Sequence, residues 1–270
     1  MFGNPSIIVT KAETCRRVLM DDERFKQGWP KSTCELLGRK SFLGVSEDER
    51  KRLRRVTAAP INGHKALSMY QEYITDIVVN SLDEWAKAER AVEFLTEVRR
   101  ITFKIIIYIF LGREIDPMMK TLEEEYVNLN QGLRSMAIDL PGFAFHKSLK
   151  ARLKLIKILQ AVVDERRARK RNDWESDDEK KDMMELLMEV EYENGEKLED
   201  EEIIDVILMY LNAGHESSAH ATMWATLFLH QHPECLHKAK MYPGCYFDEN
   251  AFFRKNKRRL SDEDHLQRKD

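Results

Sequence analysis

The chain has 270 residues, 43% apolar and 34% charged, which is enough to fill a core and to clothe it, so a wholly disordered polypeptide is excluded. Lys and Arg number 44 against 47 Asp and Glu, and a net charge of -3 gives no global field to draw the chain to nucleic acid or an anionic membrane. With only 11 Gly and 7 Pro to punctuate it, the sequence favours long helices over a turn-rich sandwich.

The longest apolar run, Ile105 to Leu111, falls far short of the roughly 20 residues that cross a bilayer, so no membrane span is expected. The opening MFGNPSIIVT lacks the basic flank and apolar stretch of a secretory signal, which makes the cytosolic side the expected location. Cys15, Cys34, Cys235 and Cys245 are scattered, form no C-x-x-C pair and read as reduced thiols.

In chain order, Ser6 to Thr10 is a strand candidate and Lys11 to Met20 a short helix, followed by a turn-rich stretch from Lys26 to Leu43. Ser46 to Ala58 reads as a charged helix stopped by Pro60. From Ala66 to Ala88, Leu67, Tyr70, Ile74, Ile77, Val78, Leu82 and Trp85 recur at steps of three and four and predict a single buried stripe. Phe94 to Leu111 is apolar nearly all round in its second half, which places it in the middle of a helical bundle, with Gly112 positioned to end it. Helices are predicted around Thr121 to Arg134 and Lys147 to Arg171, then a solvated loop from Asn172 to Lys181, a short helix from Met183 to Glu191 and a turn at Asn194 and Gly195. From Asp200 to Gln231 one seam, Ile204, Ile207, Leu208, Leu211, Ala221, Ala225 and Phe228, predicts a rod of about 45 Å.

Near the middle of that rod, Ala213-Gly214-His215-Glu216-Ser217-Ser218 puts a glycine, an acid and two hydroxyls into a helix otherwise built for burial. The glycine costs about 1 kcal/mol against alanine, and a buried carboxylate needs partners. Local rules are broken in this way most often where function resides. His215, Glu216 and His220 do not make a zinc-protease H-E-x-x-H motif, because the second histidine comes five residues on and the rings point about 140° apart. In a structural reading, Gly214 relieves a helix crossing and the serines bond back to the preceding turn. In an oxygen-activating reading, Gly214 leaves room for dioxygen, the Ser217 hydroxyl takes up a partial opening of the helix at Ala213, and Glu216 helps to relay protons. The second reading expects a distorted helix near Gly214 and a cavity beside it.

AGHESS resembles the [AG]-G-x-[DE]-T-[TS] motif of the cytochrome P450 haem-thiolate monooxygenases, with Ser217 in place of the usual threonine. GWPKSTCELLGRKSF, KRLRRVTAAPINGH, IIIYIFLG and LNAGHESSAHATMWATLFLHQHPE are similar to that family's plant oxidases of a diterpenoid acid in gibberellin biosynthesis, and the likeness runs over about residues 1 to 240. The resemblance implies a mainly α fold, specifically the amino-terminal half of the P450 fold with a long central helix and minimal sheet. It further implies a haem cofactor, a diterpenoid substrate, an NADPH-dependent reductase as partner, and the cytosolic face of the endoplasmic reticulum as the site of the full-length enzyme.

Carried onto this chain, Glu216 and Ser217 are the proton-delivery pair and Gly214 the oxygen-groove residue, while Arg54 pairs with a haem propionate. Arg50 stands at the contact position where the family has an aromatic or histidine. The family's later F-x-x-G-x-x-x-C-x-G loop is not found around Cys245, and the E-x-x-R spacings at Glu13, Glu47 and Glu97 lie in the wrong helices, so no residue here is expected to ligate iron. Residues 241–270 are expected to be an unrelated, disordered tail. The basic runs from Arg166 and from Arg254 are read as solvated, since acids flank both. The alternative function is a non-catalytic helical fragment that acts by binding protein partners.

Overall fold

The structure, a computed structural model, describes residues 7–21, 23–25, 28–62, 64–89, 91–171, 181–192 and 195–241. Among them it is almost wholly helical: α1 (Ala12–Met20), α2 (Lys31–Leu37), α3 (Glu47–Asn62), α4 (His64–Lys87), α5 (Phe94–Leu111), α6 (Met119–Gly132), α7 (Ala144–Arg171), α8 (Met183–Glu189), α9 (Asp200–Gln231) and α10 (Pro233–Met241). A 3-10 turn, Arg113–Met118, joins α5 to α6, and one antiparallel bridge pairs Glu191 with Lys197. The chain forms two compact units, Met1–Ser217 and Ser218–Asp270.

The core of the first unit follows from helical periodicity. Phe103, Ile107 and Leu111 of α5 meet Leu122, Tyr126 and Leu129 of α6, Leu155, Leu159 and Val163 of α7, and Ile203, Ile204, Ile207 and Leu208 of α9, all nearly free of solvent. α5 lies in that core, as its composition predicts, and ends at Gly112. Asp182 opens α8 with a reciprocal capping box: its carboxylate accepts from the Glu185 amide at 3.0 Å, and Glu185 accepts from the Asp182 amide at 3.1 Å.

Several expectations are corrected. Residues 7–10 form no strand, and the stretch read as turns contains α2, whose Ser32 and Thr33 hydroxyls donate to the Leu133 carbonyl at 3.0 and 2.7 Å. α3 runs past Pro60 to Asn62; proline removes one amide donor, but its fixed φ is helical. On α4 only Tyr70 and Ile77 of the predicted stripe are buried, and Leu67, Ile74 and Leu82 are exposed. The α9 seam is buried at Ile204, Ile207, Leu208 and Leu211, whereas in the second unit Ala221, Ala225 and Phe228 are exposed because no described residue of that unit covers them. The loop at 172–180, Asn194, the basic run from Arg254 and all of the tail except Met241 lie outside the described residues.

Two buried charged clusters hold the first unit. Asp205 of α9 is 1% exposed and accepts from Arg152 Nη2 of α7 at 2.5 Å and from the Lys40 amide at 3.0 Å, while Arg152 Nη1 reaches the Leu36 carbonyl at 3.1 Å. The carboxylate occupies the space of a side chain at Gly38: a Cβ there would lie 2.0 Å from Asp205 Cγ, and the φ of +108° itself favours glycine. The second cluster corrects the solvated reading at Arg166 itself, while Arg167 of the same run is exposed. Arg166 is 4% exposed, donates to the Leu111 carbonyl at 2.7 Å, and pairs with Asp182 and, at 3.0 Å, with Glu185.

Burial pushes the Asp182 carboxyl up to about 7 against the opposing pull of Arg166. Because this value lies above the ordinary one of 3.8, the folded chain retains a proton that the unfolded chain sheds. The resulting stabilisation is full below the ordinary value and is lost as pH rises through about 7. Asn also caps helices well, so Asp182→Asn keeps the cap while removing the titration. Urea unfolding followed across this window should give a shallower decline of stability with pH for the variant than for the parent. Equal slopes would place the titration elsewhere.

Candidate functional site

α9 carries the motif, and its helical phase decides what each residue does. Asp205, Leu208, Asn212 and His215, at steps of three and four, form the inward stripe, so Ala213 and Ser217 point outward. On this open face the Ser217 hydroxyl donates to the Ala213 carbonyl at 2.5 Å, the back-bond expected from the sequence. The expected distortion is not seen, for α9 is helical at every residue from Asp200 to Gln231.

Gly214 follows the structural reading, relief of a helix crossing, and not the oxygen-activating one. It faces α5 and not a cavity, and an added Cβ would come within 2.8 Å of Ile106 Cδ1. Its direct effect is to let α9 approach α5 closely.

Glu216 is the acid of the motif, and the structure assigns it a partner 117 positions away in sequence. Arg99 of α5 directs Nη2 and Nε to Glu216 Oε2 at 3.1 and 3.3 Å, with both side chains about one-third exposed. Beside it His215, 5% exposed, stands edge-on to the rings of Phe103 and Tyr126 with centroids 5.7 and 5.2 Å away. Burial raises the Tyr126 phenol above its ordinary range, and Asn212 Nδ2 donates to its oxygen at 3.5 Å. Reasoning from sequence missed Arg99 and weighed His215 only as a zinc ligand. A usable signal was present, since Arg99, Phe103 and Ile106 share one face of α5 and the arginine extends an otherwise apolar row.

On α3, Arg50 is half-buried and Arg54, one turn on, is exposed. Arg54 lies near enough to Tyr210 of α9 for its charge to oppose the rise that burial imposes on that phenol, as does a hydrogen bond between Tyr210 and Thr57. Tyr210, Ala213 and Ser217 continue along one face of α9, so the exposed guanidinium stands at one end of an open strip of small residues. A flat, acid-edged group such as haem fits this arrangement. Among the described residues no group of three or more His, Cys, Asp and Glu could hold a metal ion, and none of the helices is long and apolar enough to cross a membrane. Cys15, Cys34 and Cys235 are free thiols.

The helical architecture and this modified long helix are those of a P450, and the comparisons agree. Residues 1–241 match the family Cytochrome P450, and the chain belongs to it. It is 58% identical over 240 residues to ent-kaurenoic acid oxidase 1 of Arabidopsis thaliana, covering 89% of this chain and 48% of that protein. To a 7,8-epoxymelianol synthase of Ailanthus altissima it is 54% identical over the same shares. The solved structure of a retinoic acid-bound cyanobacterial CYP120A1 superposes with a TM-score of 0.75 at 26% identity, covering 87% of this chain and 52% of that one. The chain thus spans about half the length of the relatives it matches.

The contact at Gly214 is with the mobile end of an isoleucine, so alanine there should trade a crowded methyl against better helix propensity. In an Ile106→Val background, which removes the opposing methyl, Gly214→Ala should raise stability by up to about 1 kcal/mol in urea unfolding. A loss in that background would mean that backbone, not Ile106, limits the approach.

Proposed function

We propose that residues 1–240 form the amino-terminal, oxygen-side part of a haem-thiolate monooxygenase that oxidises ent-kaurenoic acid in successive steps of gibberellin biosynthesis. Electrons would come from an NADPH-dependent reductase at the cytosolic face of the endoplasmic reticulum. The observation that carries this reading is the open face of α9, where Ser217 bonds the Ala213 carbonyl next to the Arg99-paired Glu216, in a chain 58% identical to an enzyme of that name. The 58% identity to that oxidase exceeds the 54% to the Ailanthus epoxymelianol synthase, which supports ent-kaurenoic acid as the substrate. Residues 241–270 are read as a separate tail, in keeping with the end of the family match at 241.

Haem, when bound, supplies the iron at which dioxygen is reduced. The chain's own residues would hold and feed it. Arg54 would fork onto a propionate, with Arg50 one turn away on the same face, and the open strip at Ala213 and Ser217 would admit oxygen. Ser217 would hold an ordered water at its hydroxyl, and Glu216 would pass protons inward from solvent. Each turnover consumes dioxygen, two electrons and two protons and yields hydroxylated product and water, so proton supply sets how many electrons reach product.

The 270 residues by themselves contain no F-x-x-G-x-x-x-C-x-G loop. The purified chain is therefore expected to give no carbon monoxide difference band at the thiolate-haem position and no product from ent-kaurenoic acid with reductase and NADPH. A product would send the search for an iron ligand to Cys235, Cys245 and the nearby histidines.

The binding-fragment reading is favoured by a different observation. In the second unit Trp224, Leu227 and Phe228 are exposed together on one stretch of α9. Pull-down of a defined partner with loss on Trp224→Ala would support it.

The enzymatic reading is tested in this chain fused to the carboxy-terminal half of the Arabidopsis enzyme. Glu216→Gln should lower product formed per NADPH and raise hydrogen peroxide, because an amide keeps the shape but cannot ionise. Arg54→Ala should lower haem content per chain. Unchanged coupling in the first variant removes Glu216 from proton delivery, and full haem content in the second makes Arg54 a surface residue.

A further inference from the structure

His215 is a buried ionisable residue in the middle of the motif, and no step described so far uses it. Its Nε2 lies 3.0 Å from the carbonyl oxygen of Arg99. A carbonyl can only accept, so Nε2 carries the proton and donates. When the ring is neutral this places the lone pair on Nδ1, 3.8 Å from Glu216 Oε1. The same Arg99 sends its guanidinium to the other oxygen of that carboxylate, Oε2. One residue of α5 is thus held at its backbone by His215 and holds Glu216 with its side chain.

We propose that His215 is a positioning residue for Glu216, acting through Arg99: by fixing the Arg99 carbonyl it sets where the guanidinium meets the carboxylate that delivers protons. The inference rests on the role given to Glu216 above. The geometry favours it over simple filling of space. Phe103 and Tyr126 would accommodate any flat ring edge-on, whereas the Nε2 donor gives the Arg99 carbonyl, which also accepts from the Thr102 hydroxyl at 3.0 Å within α5, its tie to α9. Gly214, immediately before, removes the side chain that would hold α9 away from α5 at this level, and the short approach lets an imidazole reach the backbone. Glu216 Oε2 meets Arg99, and Oε1 is the oxygen nearer the imidazole.

The test uses the 270-residue chain and needs no haem. His215→Phe keeps the flat ring between Phe103 and Tyr126 but removes the donor, and His215→Gln restores an N–H near the Nε2 position. Solvent exchange of the Arg99 Nε–H, followed by NMR, should become about fivefold to tenfold faster in His215→Phe, as loss of one hydrogen bond implies, and return to within about threefold of the parent in His215→Gln. Equal exchange in all three overturns the proposal, as does equal acceleration in both variants, which would leave His215 a packing residue.

Should the Phe variant fail to fold, the protonation of the His215 ring in the parent chain, read from long-range nitrogen-proton couplings, decides the matter. A proton on Nε2 is expected, and its absence overturns the proposal. Neither measurement depends on turnover. Unchanged coupling in Glu216→Gln together with accelerated exchange in His215→Phe would sink only the proton-delivery reading, and the reverse pair of results only this one.

Discussion

The phase of α9 is set at one buried carboxylate. Taking Asp205 out of water costs several kcal/mol unless the charge is met, and a guanidinium, a backbone amide and the gap left by Gly38 meet it together. Removing any one of these would strand a charge in the core, so α2, α7 and α9 have a single common arrangement. The rest of α9 inherits its rotation from that point. Ten residues on, the stripe that begins at Asp205 brings His215 inward, and the outward face falls to Ala213 and Ser217. The chemistry on the open side is therefore oriented by electrostatics on the closed one.

A second buried guanidinium does similar service at the end of α5. Arg166 ties the Leu111 carbonyl to the first turn of α8, where Asp182 is at once helix cap and ion-pair partner. α5 is thereby held at its carboxy-terminal end by Arg166 and near its start by the contacts of Arg99 with α9. A helix fixed at two points along its length offers a rigid surface, and the Glu216 carboxylate paired with Arg99 is held against it.

Much of this was legible in the sequence where local periodicity is the cause. The bounds of α9 and α5, the end at Gly112 and the back-bond of Ser217 to Ala213 all follow from spacing within a few residues. What escaped notice depends on partners far along the chain. Arg99 and Glu216 are 117 residues apart, and Arg166 looked solvated because its acids, Asp182 and Glu185, belong to another helix. Leu67, Ile74 and Leu82 show the converse: an apolar stripe states which face can be buried, not whether a neighbour arrives to bury it. Of the motif, the partner of Glu216 was not readable, and the direction in which Gly214 faces follows only the structural reading of that glycine.

That direction has a further consequence. Because a single terminal methyl of Ile106 meets the bare backbone of Gly214, the spacing between α5 and α9 is gauged by the length of one side chain. Packed interiors transmit such small displacements, since they have little free volume to absorb them. Position 106 is thus a mechanical adjustment for the polar cluster one turn away: shortening it draws the two helices together and lengthening it wedges them apart, with no polar atom altered. Variation at Ile106 would in this way shift the Arg99–Glu216 pair.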